Sequence, residues 1–191
     1  MPDRNLEFGK FGAQGVKGHE AVAAQLDRLA GFVATPVTAH RGLMARLRYL
    51  TRTDHARAAA RDAGLTVTDR TLKAWLEGKR QPTAQNLDRI EAAYRTVRRA
   101  NVARHLLARL NRQGRGTRVE FHPLNQSQVP RPLQRVIDYR TMNVRRWDRI
   151  VQAWSAGDDA ALDDVWVNDV VVDLGSQWGE YEYVTAIGFA A

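Results

Sequence analysis

Two glycines bracket the segment that most limits how this chain can fold. Between Gly64 and Gly78, the apolar residues Leu72 and Trp75 fall on one side of a helix. Thr68 suits the N-cap of that helix, because its hydroxyl can accept a hydrogen bond from a free backbone N–H of the first turn. Gly78 suits a left-handed helix end. The spacing therefore predicts a short helix that begins after Thr68 and ends before Gly78.

A second short helix is expected just before this one, since residues 54–63 are rich in alanine and are followed by Gly64. A short helix, a turn and a second helix with an exposed polar N-terminal half form the geometry that places side chains in a DNA major groove. We expect the outward-facing residues of the second helix near base edges: Asp69, Arg70, Thr71, Lys73 and Ala74. Four further cations are expected near phosphates: Lys79, Arg80, Arg57 and Arg61. Asp69 either accepts a hydrogen bond from a cytosine amino group or only orders Arg70.

The basic charge of the chain is concentrated in its middle. The 191 residues carry a net charge of +8, yet residues 41–118 hold 19 basic and 6 acidic groups, whereas residues 119–191 hold 6 and 11. Such asymmetry favours a nucleic-acid-binding part beside a part with another role, although a solvated basic face is the alternative. Double-stranded DNA is therefore the expected partner.

Several functional classes are excluded or disfavoured by composition. The absence of cysteine excludes a disulfide framework, a thiolate metal site and a cysteine nucleophile. The five histidines are dispersed without metal-ligand spacing, and the acidic run over residues 158–169 is more typical of a solvated helix face than of a magnesium site. We expect no metal, no cofactor, no turnover catalysis and no membrane span, in a cytoplasmic, nucleoid-associated protein.

The pattern of elements predicts an α+β fold with an N-terminal all-helical domain and a small C-terminal α+β domain. Glycine-rich residues 1–18 are expected to be a flexible leader, and residues 19–113 the helical domain, with helices over 20–33 and 41–51. In the helix over 41–51, Leu43, Leu47 and Leu50 share one side and the arginines Arg46, Arg48 and Arg52 lie largely elsewhere. Residues 114–134 are expected to be a basic hinge. Residues 135–191 form the small domain, which suits self-association or partner binding.

The segment over residues 75–90 resembles the end of the lambda-repressor type of helix-turn-helix. The shared features are an aromatic residue, a glycine, a basic pair, a proline and an Asn-Leu pair before the closing helix: Trp75, Gly78, Lys79, Arg80, Pro82, Asn86 and Leu87. Gly64 stands two residues further from Trp75 than in the usual repressor spacing. We therefore expect a longer turn between the two helices.

A second resemblance covers residues 34–190. Residues 36–37, 44–51 and 67–72, followed by the basic Pro-containing turn, resemble the telomere-protecting terminal proteins of actinobacterial linear replicons. The resemblance implies binding to terminal DNA, a DNA polymerase or telomere-associated protein as partner and, in priming members, a nucleotide carried on a side-chain hydroxyl. Thr117 and Ser127 are the candidate acceptors, ahead of Tyr139 and Thr141.

Two other functions are compatible with the same pattern. A helix-turn-helix with this charge also fits a transcriptional regulator of a phage or mobile element. It also fits a structural assembly protein that retains the fold for packing alone. With either function, the acidic C-terminal half favours a homo-oligomer.

Overall fold

The computed structural model describes residues 9–175 and 180–190. In chain order the elements are strand β1 Val16–Lys17, helix α1 Gly18–Ala30, helix α2 His40–Thr51, helix α3 Asp54–Asp62, helix α4 Asp69–Leu76, helix α5 Ala84–Asn111, strand β2 Thr117–His122, strand β3 Arg140–Val144, helix α6 Asp148–Ala156, helix α7 Asp159–Val165, a π-helical turn Trp166–Val171, strand β4 Tyr183–Val184 and strand β5 Ala186–Ala190. The fold thus mixes helix and sheet.

The chain divides into two compact units. Ala30–Val102 form one, here called the helical unit; Met1–Leu29 and Ala103–Ala191 form the other, here called the mixed unit. Helix α5 supplies residues to both, since its bounds span the division at Val102. The mixed unit is therefore discontinuous in sequence, because the chain leaves it at Ala30, forms the helical unit and returns to the mixed unit at Ala103.

The helical unit closes around one apolar core. Helix α2 contacts both α3 and α4, and the first part of α5 packs against them. The buried side chains of the core are Leu43, Met44, Leu47, Leu50, Ala60, Leu65, Leu72, Trp75, Ile90, Ala93, Tyr94 and Val97. Along α2, α4 and α5 these positions recur at the three- or four-residue spacing that lines one helical face. Burial of this shared face holds the short helices in place.

A buried arginine connects this core to the chain before α2. Arg46 is only 4% exposed, and its guanidinium donates to the carbonyls of Val33 (3.1 Å), Thr35 (2.8 Å) and Gly42 (3.0 Å). It also forms an ion pair with Glu91 of α5. The sequence pattern places Arg46 with the outward arginines of α2, so the structure differs there. The guanidinium is buried because it finds acceptors for its donors.

The mixed unit is built on a three-stranded antiparallel sheet in the order β3-β2-β5. The central residue Val119 pairs with Met142 on one side and Phe189 on the other. Alternate residues of β2 are buried, namely Thr117, Val119 and Phe121, as expected for a sheet with one covered face. Tryptophans of the following helices complete the core: Trp147, Trp154 and Trp166.

Helix α1 belongs to the mixed unit, whereas the sequence pattern groups it with the helical domain. Leu26 is fully buried, the Trp154 indole N–H donates to the Asp27 carboxylate at 2.8 Å, and the Gln25 amide donates to the carbonyl of Ile187. Amphipathic spacing predicts that a helix is buried on one side but cannot identify the partner of that side. These partners of α1 are more than a hundred residues later in the chain.

The described part of the expected leader has regular contacts. Gln14 and Asn125 exchange two backbone hydrogen bonds at 2.9 and 3.0 Å, and β1 pairs with β4. Gly18 begins α1 against the indole of Trp166, where a Cβ atom would clash. Residues 1–8 lie outside the described residues. From Gly9 onwards the glycine-rich composition therefore reflects close backbone approach as well as turns.

The expected hinge over 114–134 contains the central strand of the sheet. Gly116 has a φ of 74° and donates from its backbone N–H to the carbonyl of Asn111 at 2.9 Å. A Cβ atom there would clash with the carbonyl oxygen of Val144. Strand β2 follows immediately and pairs on both edges. The glycines therefore make a tight turn from α5 into β2 rather than a flexible connection.

Candidate functional site

Helices α3 and α4 are separated by a defined turn. Helix α3 begins at the Thr53 hydroxyl, which accepts from the Ala56 N–H at 3.0 Å, and ends at Gly64 with a φ of 95°. The Leu65 N–H bonds back to the carbonyl of Ala60 at 2.9 Å, and the Leu65 side chain is buried. Six residues, 63–68, lie between the two helices. The turn is longer than the three or four residues typical of this motif, as the position of Gly64 predicts.

Helix α4 is capped at both ends as its sequence predicts. The Thr68 hydroxyl accepts from the Thr71 N–H at 3.2 Å. At the other end, Gly78 has a φ of 70°, and the Lys79 N–H bonds to the carbonyl of Ala74 at 2.9 Å. This pair of features is the Schellman arrangement, which turns the chain sharply at the end of the helix. The basic pair that follows is thereby held close to the last turn of α4.

The outer face of α4 is polar and mixed in charge. Leu72 and Trp75 are buried, and Thr71 and Ala74 are half-buried at the margins. The exposed positions are Asp69, Arg70, Lys73 and Glu77. All five residues predicted near base edges therefore lie on or beside one face, and the structure adds Glu77 to them.

Carboxylates pair with most of the nominated cations. Arg61 lies 2.5 Å from Asp69, across the turn between α3 and α4. Glu77 lies 2.8 Å from the Lys79 ammonium and 3.8 Å from that of Lys73. The hydrogen bond from Lys79 lowers the pKa of Glu77 and raises the pKa of Lys79. Asp69 is therefore paired with Arg61. The structure does not pair it with Arg70, which is the residue that Asp69 would order in one of the two interpretations of the sequence.

Two of the nominated cations are left without an acidic partner. Within residues 9–175 and 180–190, the side chains of Arg70 and Arg80 form no ion pair or hydrogen bond, and both are exposed. Arg57 is held differently, by an ion pair to Asp54 and a 3.0 Å hydrogen bond to the carbonyl of Thr51. Arg70 and Arg80 are consequently the side chains most available to an anionic ligand on this surface.

A cleft of about 300 Å³ lies beside α4 in the helical unit. Its lining residues are Thr51, Arg57, Asp69, Leu72, Lys73 and Leu76. It brings three predicted phosphate or base contacts to the same depression: Arg57, Asp69 and Lys73. The i,i+4 spacing of Lys73 and Glu77 would have indicated their pairing from sequence. No sequence rule indicates the Arg61–Asp69 pair, because it depends on the angle of the turn.

The charge of the helical unit is strongly basic. Ala30–Val102 contain 14 Arg and Lys residues and 6 Asp and Glu residues, for a net charge of +8. Buried Arg46 uses its charge internally, but the remaining imbalance lies mostly on exposed helix faces. A surface of this sign attracts polyanions at long range.

The two acceptor candidates differ in exposure. Thr117 is 0% exposed, and its hydroxyl donates to the carbonyl of Leu110 at 2.6 Å. A hydroxyl engaged in this way cannot be reached by a polymerase, so Thr117 does not meet the requirement for an acceptor. Ser127 is exposed in the loop after β2 and remains a candidate. Tyr139 is about half exposed and contacts His122 edge-on. Partial desolvation, together with the nearby Glu120 carboxylate, raises the pKa of its phenol.

The acidic helices of the mixed unit offer no metal site within the described residues. Arg149 pairs with Asp169 at 2.6 Å and Asp164 at 3.6 Å, so part of the acidic run is internally neutralised. No group of three or more His, Asp or Glu side chains in the described ranges is arranged to hold a metal ion. In the same ranges, no helix is long and apolar enough to cross a membrane.

Comparison of the chain with protein-family profiles, with curated proteins and with solved structures finds no match in any of the three. The function is therefore inferred from the residues and geometry of the surface around α4.

Proposed function

We propose that the helical unit binds double-stranded DNA through a helix-turn-helix made by α3 and α4, with α4 in the major groove. The observation that carries this proposal is the exposed N-terminal half of α4, where Arg70 is free beside Thr71, Lys73 and Ala74. A helix reads bases with its N-terminal residues when the preceding helix crosses the DNA backbone. The capped turn supports such a fixed orientation.

Different residues of the surface suit different parts of the DNA. Arg70 can donate two hydrogen bonds to the O6 and N7 atoms of guanine, the commonest specific contact of an arginine. Arg80 and Lys79 follow the helix end, where a backbone phosphate would pass. Arg57 and Arg61 on α3 are the further phosphate candidates, and each must exchange a carboxylate partner for a phosphate. The proposal therefore assigns sequence selectivity mainly to Arg70.

The first experiment separates base reading from general attraction. Binding sites are selected from a random duplex pool, and affinity for the selected and random duplexes is measured by fluorescence anisotropy. Arg70→Ala should weaken binding to the selected site by about 1–3 kcal/mol and change binding to random duplex far less. Arg41→Ala is the matched control, since Arg41 is also exposed. It lies about 15 Å along α2, at 1.5 Å per residue, from Thr51, which lines the cleft beside α4. Equal effects of the two substitutions on both duplexes would refute the assignment of Arg70.

A second measurement tests the phosphate assignment. Replacing Lys79 and Arg80 by alanine should weaken binding to all sequences alike and reduce the salt slope by about one unit for each phosphate that is no longer neutralised. The slope is obtained from affinities across a series of salt concentrations. An unchanged slope would exclude both residues from the interface. Undetectable binding of any duplex by the intact protein, even at low salt, would reject the proposed function itself.

A further inference from the structure

One edge of the three-stranded sheet in the mixed unit is open. On β5, the carbonyl of Ile187 accepts from the Gln25 side chain of α1. Strand β3 is the other edge, and it pairs only with β2 among the residues that the structure describes. An edge strand presents a row of N–H and C=O groups that can pair with another chain.

Hydrogen bonds hold the chain that leads into β3. The Gln126 side chain accepts from the Arg135 N–H at 2.8 Å and donates to its carbonyl at 2.9 Å, so it occupies one side of the backbone. The Tyr181 hydroxyl donates to the carbonyl of Asp138 at 2.7 Å. Residues 134–144, here called the edge segment, are thus held before any partner binds. This preorganisation lowers the entropic cost of pairing.

Apolar side chains are exposed along the edge segment and beside it. Val136 is 89% exposed, and Leu133 and Tyr139 are each about half exposed. Edge strands are normally protected by charge, proline or cover, so an exposed valine in the segment that leads into an open edge favours a surface that is covered in use. A peptide strand would bury this valine and satisfy the backbone groups of β3 together.

The charge around the edge selects among the possible occupants. Five exposed arginines surround it: Arg131, Arg135, Arg140, Arg145 and Arg146. A cleft of about 330 Å³ between the end of β3 and the π-helical turn adds Asp169 and Asp173, but Asp169 is paired with Arg149. Even with Asp138 and Asp173 counted, the surface is basic. Two copies of this chain would oppose their own arginines, whereas an acidic strand is complementary.

We propose that the edge segment binds an acidic, extended segment of a partner protein as an additional strand beside β3. Acidic side chains of the partner pair with the arginines, and an apolar side chain covers Val136. Backbone pairing gives affinity, and the side chains give selectivity, as in other strand-addition interfaces. A nucleic acid would meet the arginines but would leave the backbone row of β3 unpaired, so the edge favours a peptide.

The test selects peptides on the intact protein from a displayed library of random dodecapeptides. We expect enrichment of sequences that alternate acidic and apolar residues. Val136→Lys should weaken binding of the selected peptide by about tenfold, because the apolar contact that the peptide makes with this valine is lost even though the substitution adds a positive charge. Val16→Lys is its control, since Val16 is also exposed but lies in the two-stranded sheet. Replacing both Arg145 and Arg146 by Glu should weaken binding of the selected peptide further. Arg28→Glu should leave the affinity for that peptide unchanged.

Backbone pairing is tested on the peptide itself. N-methylation of alternate residues along one edge of the selected peptide should abolish binding, while methylation along the other edge should leave it. Bound peptide should also slow amide hydrogen exchange in residues 140–144. Thermal melting of each variant checks that it folds.

Four outcomes would overturn the proposal. The first is no enrichment over an unrelated control protein, and the second is selected peptides that bind the Val136 variant equally well. The third is concentration-dependent self-association that disappears in that variant, which would make a second copy the occupant. The fourth is protection of residues 140–144 by a single-stranded oligonucleotide in place of a peptide, which would make the occupant a nucleic acid.

Discussion

A single carboxylate limits how freely the α4 surface attracts anions. Glu77 lies on the exposed face and contacts the ammonium groups of both Lys73 and Lys79. Under the proposed function, a DNA phosphate must compete with Glu77 for these lysines. In such a complex the carboxylate would favour contacts made at the correct register over general adhesion to any duplex.

Replacing this carboxylate should increase indiscriminate binding. We predict that Glu77→Gln raises affinity for random duplex DNA by about twofold to fivefold at low salt, with a smaller gain at high salt. Asp88→Asn, an equal charge change on an exposed part of α5, is the control and should give less. Fluorescence anisotropy at two salt concentrations measures both. A gain no larger than that of the control would show that Glu77 does not compete with phosphate.

The pairing of Glu77 also sets the sign of its pH dependence. Lys79 lowers the pKa of Glu77 below its ordinary value of 4.5, so Glu77 stays charged at every pH above that value. On the acid side, its pairing is lost as the pH falls through the lowered pKa. Gentle acidification above pH 4.5 should therefore not reproduce the effect of Glu77→Gln.

Arg46 has a structural role although it lies in the basic half. Arg46→Ala should lower the free energy of unfolding by about 3 kcal/mol, at the low end for breaking a buried ion pair, because Glu91 stays partly hydrated. The Glu91 side chain is 27% exposed, which supports this discount. Arg48→Ala, two residues along the same helix and exposed, should change it by less than about 0.5 kcal/mol. Urea denaturation of the two variants decides the prediction, and similar losses would contradict it.

At the scale of elements, three helices end in the same way. Gly64, Gly78 and Gly157 each follow α3, α4 or α6 with a positive φ, and the next N–H bonds back to the helix. The cost of a side chain at a glycine of positive φ depends on its surroundings. Nothing lies within 4 Å of a Cβ atom at Gly78, whereas one at Gly116 would clash with the Val144 carbonyl.

These surroundings predict different stabilities for two glycine variants. Gly78→Ala should cost about 1–2 kcal/mol, which is the backbone penalty alone. Gly116→Ala should cost clearly more, because the turn into β2 must move away from β3 as well. Chemical denaturation of the full chain provides both values. Equal costs would mean that the turn at Gly116 relaxes without disturbing the sheet.

Local signals predict local structure well in this chain. The bounds of α2 and α3, the Thr68 cap and the end of α4 at Gly78 follow from hydrophobic spacing and capping chemistry that act within a few residues. The burial of Arg46, the partners of α1 and the Arg61–Asp69 pair do not follow from such signals. Each depends on contacts between segments distant in sequence or on the angle of a turn, which a pattern does not encode.

The glycine-rich stretches show the same limit of local signals, because here composition predicts flexibility where the structure has close packing. Composition alone predicts flexibility at residues 9–18 and 114–116, because glycine is common both in mobile segments and in tight turns. Only the neighbours distinguish the two cases. Trp166 beside Gly18 and Val144 beside Gly116 make these glycines necessary for close packing.

For the molecule as a whole, all of the net charge lies in one of the two units. The helical unit carries a net charge of +8, which is the net charge of the whole chain, so the mixed unit has as many acidic as basic residues. Counting along the sequence gives the C-terminal residues 119–191 an acidic excess. The basic residues between 104 and 118 belong to the mixed unit and balance that excess.

Under the proposed function, this division predicts that the helical unit alone binds duplex DNA. A fragment of residues 30–102 should fold, because its apolar core is complete, and should bind duplex DNA with nearly the affinity and salt slope of the full chain. Arg70→Ala should reduce selected-site affinity by the same factor in the fragment as in the intact protein. Circular dichroism, thermal melting and anisotropy test these expectations. A fragment that melts cooperatively but loses both affinity and salt slope would assign the DNA contacts to the mixed unit, whereas an unfolded fragment would show that the core of α2–α5 needs the rest of the chain.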